Sequence, residues 1–128
     1  MSERVVLDAS ALLALMGAEP GADAVAAVLD ASTISSVNLS EVVAKLAEYG
    51  VPEAALRSAL TELTLDVTDF TASTAIAAGL LRPSTKTLGL SLGDRACLAL
   101  GMEMGATVVT AERLWSGLSL GIPIHVVR

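Results

Sequence analysis

The 128-residue sequence has few aromatic residues, with one Phe, one Tyr and one Trp. Proteins that hold single-stranded nucleic acid by stacking usually expose several aromatic side chains. Basic residues are also scarce, because eight Lys and Arg stand against fourteen Asp and Glu, which gives a net charge of −6. These two shortages argue against a broad basic or aromatic surface for nucleic acid.

Cysteine and histidine occur once each, as Cys97 and His125. A single cysteine forms neither an internal disulfide nor a thiolate metal site, and a single histidine excludes a multi-histidine zinc site within one chain. A Ser-His-Asp triad is not credible with that histidine on the final strand. We expect Cys97 to be a small buried group and the reducing cytoplasm to be the compartment.

Long apolar runs are missing, although the mean hydropathy is high at +0.67. The densest apolar stretch near the start, residues 5–16, is interrupted by Asp8, whereas a membrane span needs about 20 nearly uninterrupted apolar residues. A signal peptide fits poorly for the same reason. The excess hydrophobicity therefore predicts a buried core plus an apolar surface that a partner covers.

Short β-branched runs alternate with Ala- and Leu-rich segments of helical length. The predicted strands are 5–7, 33–35, 65–68, 107–109 and 124–127. The predicted helices are 10–16, 22–29, 38–49, 52–63, 71–81, 91–104 and 111–115, with 82–90 as a loop. Strands separated by helices indicate an α/β fold with a central parallel sheet and helices on both faces. No repeat or shift in composition marks a domain boundary.

Four acids occupy similar local positions in this pattern. Asp8 ends the first strand, Glu112 follows the strand 107–109, and Glu41 and Asp94 lie in the first turns of predicted helices. Each has a purely local interpretation. Asn38-x-x-Glu41 and Ser91-x-x-Asp94 fit capping boxes, and the other two acids can offset the positive end of a helix dipole.

Together, the four acids favour a chemical role. The carboxyl ends of parallel strands and the first turns of the following helices lie along one edge of the sheet, where ligands bind. Four carboxylates in one crevice repel one another, and a divalent cation such as Mg²⁺ or Mn²⁺ relieves that repulsion. The sequence therefore predicts a metal-dependent phosphoryl-transfer or phosphodiesterase site.

Four sequence blocks resemble the PIN domain, and their order and spacing are similar to those of VapC-type ribonuclease toxins from bacterial toxin–antitoxin pairs. The blocks are Val5-Val6-Leu7-Asp8-Ala9-Ser10-Ala11-Leu12-Leu13-Ala14, Asn38-Leu39-Ser40-Glu41-Val42, Leu90-Ser91-Leu92-Gly93-Asp94-Arg95-Ala96-Cys97-Leu98-Ala99 and Val109-Thr110-Ala111-Glu112-Arg113-Leu114-Trp115. The resemblance spans nearly the whole chain. It implies a single PIN domain over residues 1–128, with a three-layer α/β/α fold around a central parallel sheet.

The resemblance also implies an activity, which is Mg²⁺- or Mn²⁺-dependent endoribonuclease cleavage of RNA. The catalytic and metal-ligating acids it implies are Asp8, Glu41, Asp94 and, at the fourth position, Glu112. That fourth acid is more often Asp in a Thr-x-Asp motif, so Glu112 reaches further out and is expected to be less critical or to bind metal through water. Thr110 is expected to have a supporting role.

Two kinds of partner follow from the same resemblance. One is a small VapB-type antitoxin, whose C-terminal segment wraps the toxin and can block the acidic crevice, and the other is a second copy of the chain in a homodimer. RNA phosphates are expected to contact basic residues near the acids, although Arg95 and Arg113 could equally pair with neighbouring acids or the partner. These basic residues are Arg82, Lys86, Arg95 and Arg113.

Three alternatives remain. A non-catalytic PIN-like module that binds RNA or protein usually lacks the first or third acid, whereas Asp8 and Asp94 are both present. A phosphatase or flap-type nuclease on a related sheet needs further acids or an Asp-x-Asp motif, and Asp8-Ala9-Ser10 lacks the second Asp. A signalling receiver domain needs a lysine near its end, and none follows Lys86.

Overall fold

A computed structural model of the chain, which describes residues 3–128, is built around a five-stranded sheet. The strands are β1 (Val5–Leu7), β2 (Ser32–Ser35), β3 (Asp66–Thr68), β4 (Thr107–Thr110) and β5 (Ile124–Val126). All pairs are parallel, in the spatial order β3-β2-β1-β4-β5. The order therefore reverses between β1 and β4, and the crevice at their carboxyl ends is where open α/β sheets bind ligands.

Helices connect these strands. They are α1 (Ala9–Met16), α2 (Ala22–Val28), α3 (Ser36–Glu48), α4 (Glu53–Glu62), α5 (Ala72–Leu80), α6 (Arg82–Thr85) and α7 (Leu92–Met104). Three 3₁₀ turns cover Leu29–Ala31, Lys86–Leu88 and Arg113–Gly117. In the part of the chain described, no helix has both the length and the apolarity that crossing a bilayer requires.

Most predicted elements are confirmed, with ends displaced by a few residues at most, but the predicted loop 82–90 is wrong. It contains α6 and a 3₁₀ turn. Pro83 stands in the first turn of α6, where a missing backbone N–H costs little. Thr85 Oγ1 donates to the carbonyl of Leu81 at 2.8 Å, which satisfies a buried hydroxyl within the turn.

The predicted three-layer α/β/α architecture is confirmed by the two faces of the sheet. Val6 and Val108 pack on one face in a core cluster with Cys97 and Leu98 of α7. Neighbouring strand residues point the other way, and Leu7 belongs to the cluster that contains residues of α1 and α2. This alternation follows from the two-residue period of a strand, and it explains why the strands are apolar without interruption.

Candidate active site

Asp8 lies directly after β1 and caps the N-terminus of α1. It is only 3% exposed. Its Oδ1 accepts a hydrogen bond from the backbone N–H of Ala11 at 2.8 Å, which is the N-cap bond. Its local role at a helix N-terminus is therefore confirmed. The carboxylate nevertheless lies at the β1–β4 switch point, where a chemical role is expected.

Two hydroxyl groups hold the carboxylate of Asp8 in place. Thr110 Oγ1 donates to Oδ2 at 2.6 Å, and Ser10 Oγ lies 2.8 and 2.9 Å from the two carboxylate oxygens. These hydroxyls accept in turn from the backbone N–H groups of Glu112 and Ala111, both at 2.9 Å. The chain of hydrogen bonds joins the ends of β1 and β4. It agrees with the supporting role predicted for Thr110, whereas Ser10 was not singled out from the sequence.

Glu41 lies in the second turn of α3 rather than in the predicted first turn. The helix begins at Ser36, directly after β2, and the hydroxyl of Ser35 accepts from the backbone N–H of Val37 at 3.2 Å. Because Ser35 already caps the helix, the predicted capping box between Asn38 and Glu41 is wrong. The side chains of these two residues are free for contacts outside the helix terminus.

Asn38 and Gly93 position the carboxylate of Glu41 between α3 and α7. Asn38 Nδ2 donates to Glu41 Oε1 at 2.8 Å and to the carbonyl of Gly93 at 3.0 Å. A Cβ atom at position 93 would collide with the Glu41 carboxylate, so glycine is required for this approach. Asn38 was interpreted as a cap and Gly93 was not singled out, since contacts between distant helices leave no local pattern.

Asp94 lies in the first turn of α7, and its predicted capping box with Ser91 is confirmed. The backbone N–H of Asp94 donates to Ser91 Oγ at 3.2 Å, and that of Ser91 donates to Asp94 Oδ2 at 2.9 Å. Both bonds are local, which is why the sequence alone predicted them. They place the carboxylate at the N-terminus of α7, beside Gly93.

Glu112 follows β4 but does not begin a helix of residues 111–115 as predicted. It occupies the N-cap position of the 3₁₀ turn Arg113–Gly117, and its side chain makes no capping hydrogen bond. It is exposed, unlike Asp8. The extra methylene of Glu therefore extends this carboxylate into solvent, whereas Asp8 is buried.

One pocket of about 260 Å³ at the carboxyl edge of the sheet brings all four predicted acids together. We call it the acidic pocket. Its lining consists of Asp8, Ala9, Ser10, Leu13, Asn38, Glu41, Lys45, Asp94 and Glu112. The convergence follows from the topology, since the ends of β1 and β4 and the α3 and α7 helices meet there.

Burial governs the protonation of two of these carboxylates. Loss of water contact raises the pKa of Asp8 to about 6, against the lowering effect of the hydrogen bonds it accepts, and the charge of Asp94 raises it further. Burial also raises the pKa of Glu41, opposed by the bond from Asn38 and assisted by Asp94. Both shifts show that desolvation disfavours the ionised carboxylates more strongly than their hydrogen bonds favour them.

The donor chemistry of the acidic pocket fits a divalent cation, although the carboxylates are not gathered around one point. Within residues 3–128, no group of three or more His, Cys, Asp or Glu lies close enough together to hold a metal ion. Carboxylate oxygens are the ligands that Mg²⁺ and Mn²⁺ prefer, and a cation would relieve the repulsion around Asp94. Hydrogen bonds from Asn38 to Glu41 and from Ser91 to Asp94 compete with a cation for these oxygens.

The basic residues expected to contact phosphates do not line the acidic pocket. Arg95 Nη1 donates to the carbonyl of Ala78 at 3.1 Å, which ties α7 to α5. Arg113 Nε donates to the backbone carbonyl of Arg128 at 3.3 Å. Arg95 and Arg113 therefore support neighbouring backbone rather than the pocket, and Arg82 and Lys86 are also outside its lining.

Lys45 is instead the basic residue at the pocket, and among the Lys and Arg of residues 3–128 it alone lines it. It stands one turn after Glu41 on α3, but these two residues form no salt bridge within the described chain. Its Nζ lies 5.5 Å from the ring centroid of Tyr49. No short sequence pattern predicts Lys45 at this pocket, because its place in the lining depends on how α3 packs.

Neither Cys97 nor His125 contributes to the acidic pocket. Cys97 is fully buried, and burial together with the nearby carboxylates raises the pKa of its thiol well above the usual value. A protonated, inaccessible thiol is no nucleophile, which agrees with the predicted small core group. His125 lies exposed on β5 and does not line the pocket.

The chain belongs to the PIN domain family, because the sequence model of that family matches residues 5–117. The matched segment contains all four acids, and it confirms the family predicted from the four sequence blocks. A comparison with curated protein sequences gives no significant match.

Several solved structures have the same fold as this chain. A DNA-bound VapBC complex from Salmonella typhimurium superposes with a TM-score of 0.73 at 21% identity, covering 96% of this chain and 97% of that chain. VapC20 from Mycobacterium tuberculosis, described as a Sarcin-Ricin loop cleaving toxin, has a TM-score of 0.71 at 16% identity, with 93% and 98% covered. A toxin–antitoxin complex from Klebsiella pneumoniae has a TM-score of 0.69 at 20% identity, with 92% and 94% covered. At these identities the likeness concerns the fold.

Proposed function

We propose that this chain is a metal-dependent endoribonuclease that hydrolyses RNA phosphodiester bonds as the toxin of a VapBC-type toxin–antitoxin pair. The observation that carries the proposal is the acidic pocket, whose lining includes the desolvated Asp8 and three acids from other segments of the chain. Membership of the PIN domain family and the likeness to a toxin that cleaves the Sarcin-Ricin loop support RNA as the substrate.

A divalent cation is part of this proposal. The residues proposed to hold Mg²⁺ or Mn²⁺ are Asp8, Glu41, Asp94 and Glu112. When bound, such a cation supplies Lewis-acid activation of water and neutralises charge on the phosphate. The raised pKa values of Asp8 and Glu41 support the proposal, because desolvation, assisted by the charge of Asp94, disfavours their ionised forms and a bound cation would favour them.

The chain's own residues have defined tasks in this reaction. Ser10 and Thr110 orient the carboxylate of Asp8 through hydrogen bonds to its oxygens. Asn38 holds the carboxylate of Glu41 over the N-terminus of α7. Lys45 offers an ammonium group to a nonbridging phosphate oxygen at the pocket, where every other charged side chain of the lining is negative.

The test is cleavage of RNA by the purified chain after removal of metal with EDTA and addition of Mg²⁺ or Mn²⁺. We expect no cleavage with EDTA and recovery with either cation. Cleavage that persists in EDTA would contradict the metal dependence. If the chain binds RNA but cleaves none with either cation, it is the non-catalytic PIN-like binding module instead.

We also propose a VapB-type antitoxin as the partner. A groove of about 480 Å³ between α3 and α4 is lined largely by apolar side chains, which include Leu39, Val43, Leu56 and Leu60. An amphipathic segment of an antitoxin fits such a groove. The solved relatives in VapBC complexes support this kind of partner. Replacing Leu60 by Glu should abolish co-purification with a small protein encoded beside this chain, while RNA cleavage persists.

A homodimer in the cytoplasm completes the proposal. Ile76 and Leu80 lie one turn apart on α5 and are 67% and 76% exposed, which is costly for large apolar side chains unless a second copy covers them. We expect light scattering to give a dimer for the wild-type chain and a monomer for Leu80→Glu. The single buried Cys97 is compatible with a reducing compartment.

A further inference from the structure

A second groove continues from the acidic pocket and shares Ser10, Leu13, Lys45 and Glu112 with it. We call it the flanking groove. It has a volume of about 320 Å³, and its lining extends to Tyr49 and Arg128. Because the two cavities have walls in common, a polymer with one phosphate at the acids would place its next residue in the flanking groove.

The flanking groove contains one exposed aromatic ring, that of Tyr49, and two cationic side chains, those of Lys45 and Arg128. Tyr49 is 71% exposed and is the only Tyr of the sequence, whereas the ring of Trp115 is buried in the core. Lys45 Nζ lies 5.5 Å from the centre of the Tyr49 ring. An exposed ring beside a flexible cation matches the way single-stranded nucleic acid is bound, with the base stacked and the phosphate paired.

Arg128 also lines the groove, and two neighbouring groups support its orientation. Its Nε donates to the carbonyl of Ala111 at 3.3 Å, and its Nη1 lies 3.5 Å from Glu19 Oε1. Because the contact with Glu19 is weak and partly exposed, the guanidinium can donate hydrogen bonds to a phosphate instead. Lys45 and Arg128 are two of the eight basic residues in a chain of net charge −6, and both line this one groove.

We propose that the flanking groove binds the nucleotide next to the scissile phosphate of single-stranded RNA, with the base stacked on Tyr49 and phosphates contacted by Lys45 and Arg128. This inference rests on the proposed ribonuclease function and adds the subsite that holds the substrate. It also explains how an acidic protein with few aromatic residues binds RNA, because a single ring and two cations are placed directly beside the acids.

The test measures binding separately from cleavage. The probes are fluorescein-labelled, single-stranded, eight-nucleotide RNAs, one of oligouridylate and one of oligoadenylate. They are titrated with the Asp94→Asn protein, which is expected to cleave them too slowly to affect the measurement. Each titration is done in Mg²⁺ and again in EDTA. Fluorescence anisotropy gives Kd at several salt concentrations. The added variants are Tyr49→Ala, Tyr49→Phe, Lys45→Met and, as a matched control outside both cavities, Lys86→Met. Circular dichroism checks that each variant is folded.

Stacking and charge predict different results. We expect Tyr49→Ala to weaken binding about tenfold with the salt dependence unchanged, and Tyr49→Phe to bind like the parent, because only the ring is needed. Lys45→Met should weaken binding and lower the slope of log K against log salt by about 0.7, the value for one phosphate contact on a single strand. Lys86→Met should change neither quantity.

Unchanged RNA affinity of Tyr49→Ala and Lys45→Met, in folded proteins, would overturn the subsite. If the same substitutions weaken a complex with a protein partner and leave RNA binding unchanged, the groove belongs to that partner. That result would also overturn the RNA subsite. Failure of the ribonuclease proposal is a different result, namely no cleavage by the wild-type chain with Mg²⁺ or Mn²⁺.

Discussion

Both ends of the sheet carry a pocket lined by acidic residues, and the two pockets differ in how those acids are held. At the amino ends of the strands, a cavity of about 320 Å³ is lined by Glu3, Arg4, Asp30 and Asp66 among others, and it is larger than the acidic pocket of about 260 Å³. Its three acids are exposed, and Arg4 lines the cavity with them, as Lys45 lines the acidic pocket.

At the carboxyl ends, Asp8 is buried at the start of α1, and the charge of Asp94 adds to the rise of its pKa. The contrast teaches that neither the number of acids nor the size of the cavity identifies the reactive end. What distinguishes it is desolvation of a carboxylate beside others of the same charge, which perturbs protonation as active sites typically do. Parallel topology produces this arrangement at one end only, because helices begin where strands end.

The largest expected effect is seen when one acid at the carboxyl end of the sheet and one acid at the amino end are each substituted. Asp94→Asn should slow RNA cleavage by at least ~100-fold, or about 3 kcal/mol of transition-state stabilisation, because it removes charge from the metal site while the amide can still cap α7. Asp66→Asn, at the amino end, should cleave like the wild type. Equal loss in both variants, measured on the same RNA, would show that the two ends do not differ as described.

The next effect concerns pH and the burial of Asp8. The pKa of Asp8 is about 6 in the folded chain against an ordinary value of 3.8, so the folded state binds this proton more tightly than the unfolded chain does. The contribution of Asp8 to the free energy of unfolding is therefore full at low pH. It falls by ~3 kcal/mol at most between about pH 4 and pH 6, and it stays low at higher pH.

Urea unfolding of metal-free protein in EDTA measures this contribution. The stability difference between Asp8→Asn and the wild type should shift in favour of Asp8→Asn as pH rises through that window. Asp66→Asn serves as the exposed control and should follow the wild type. Parallel pH profiles for the wild type and Asp8→Asn would contradict the description of a desolvated carboxylate.

A smaller effect tests the close approach of α3 and α7. Gly93→Ala places a Cβ atom against the Glu41 carboxylate, which moves because it is the end of a flexible side chain. We expect cleavage about tenfold slower, with a change in stability of less than ~1 kcal/mol. Gly79→Ala is the matched control, since a Cβ atom there meets nothing within 4 Å. If both substitutions leave cleavage unaffected, the position of Glu41 is unimportant.

The smallest effect belongs to Glu112. Because it is exposed and makes no capping bond, Glu112→Gln should slow cleavage only about two- to fivefold, far less than Asp94→Asn. Asp30→Asn at the amino end should have no effect. A loss as large as that of Asp94→Asn, in rates measured with saturating Mn²⁺, would give this exposed acid the same importance as the acids of α3 and α7.

Local signals explain which parts of the site could be predicted. An apolar run ending in Asp8 predicts a buried strand followed by a helix, and Ser91-x-x-Asp94 predicts a helix start, since both patterns act over a few residues. The position of Glu41 within α3 was predicted incorrectly. Strand β2 leads into α3 without a loop, and the end of strand pairing, rather than the capping preference of Asn38, decides where the helix begins.

Local hydrophobic periodicity suffices to predict the order of the strands and most of the helices, and spaced motifs suffice to predict the family and the four acids. Tertiary structure alone decided which side chains accompany those acids. Asn38 and Gly93, which share a hydrogen bond, stand 55 positions apart in the chain. Lys45 and Tyr49 reach the acidic edge only because α3 packs against α1 and α7. Such contacts depend on how helices pack in space, which no short sequence pattern encodes.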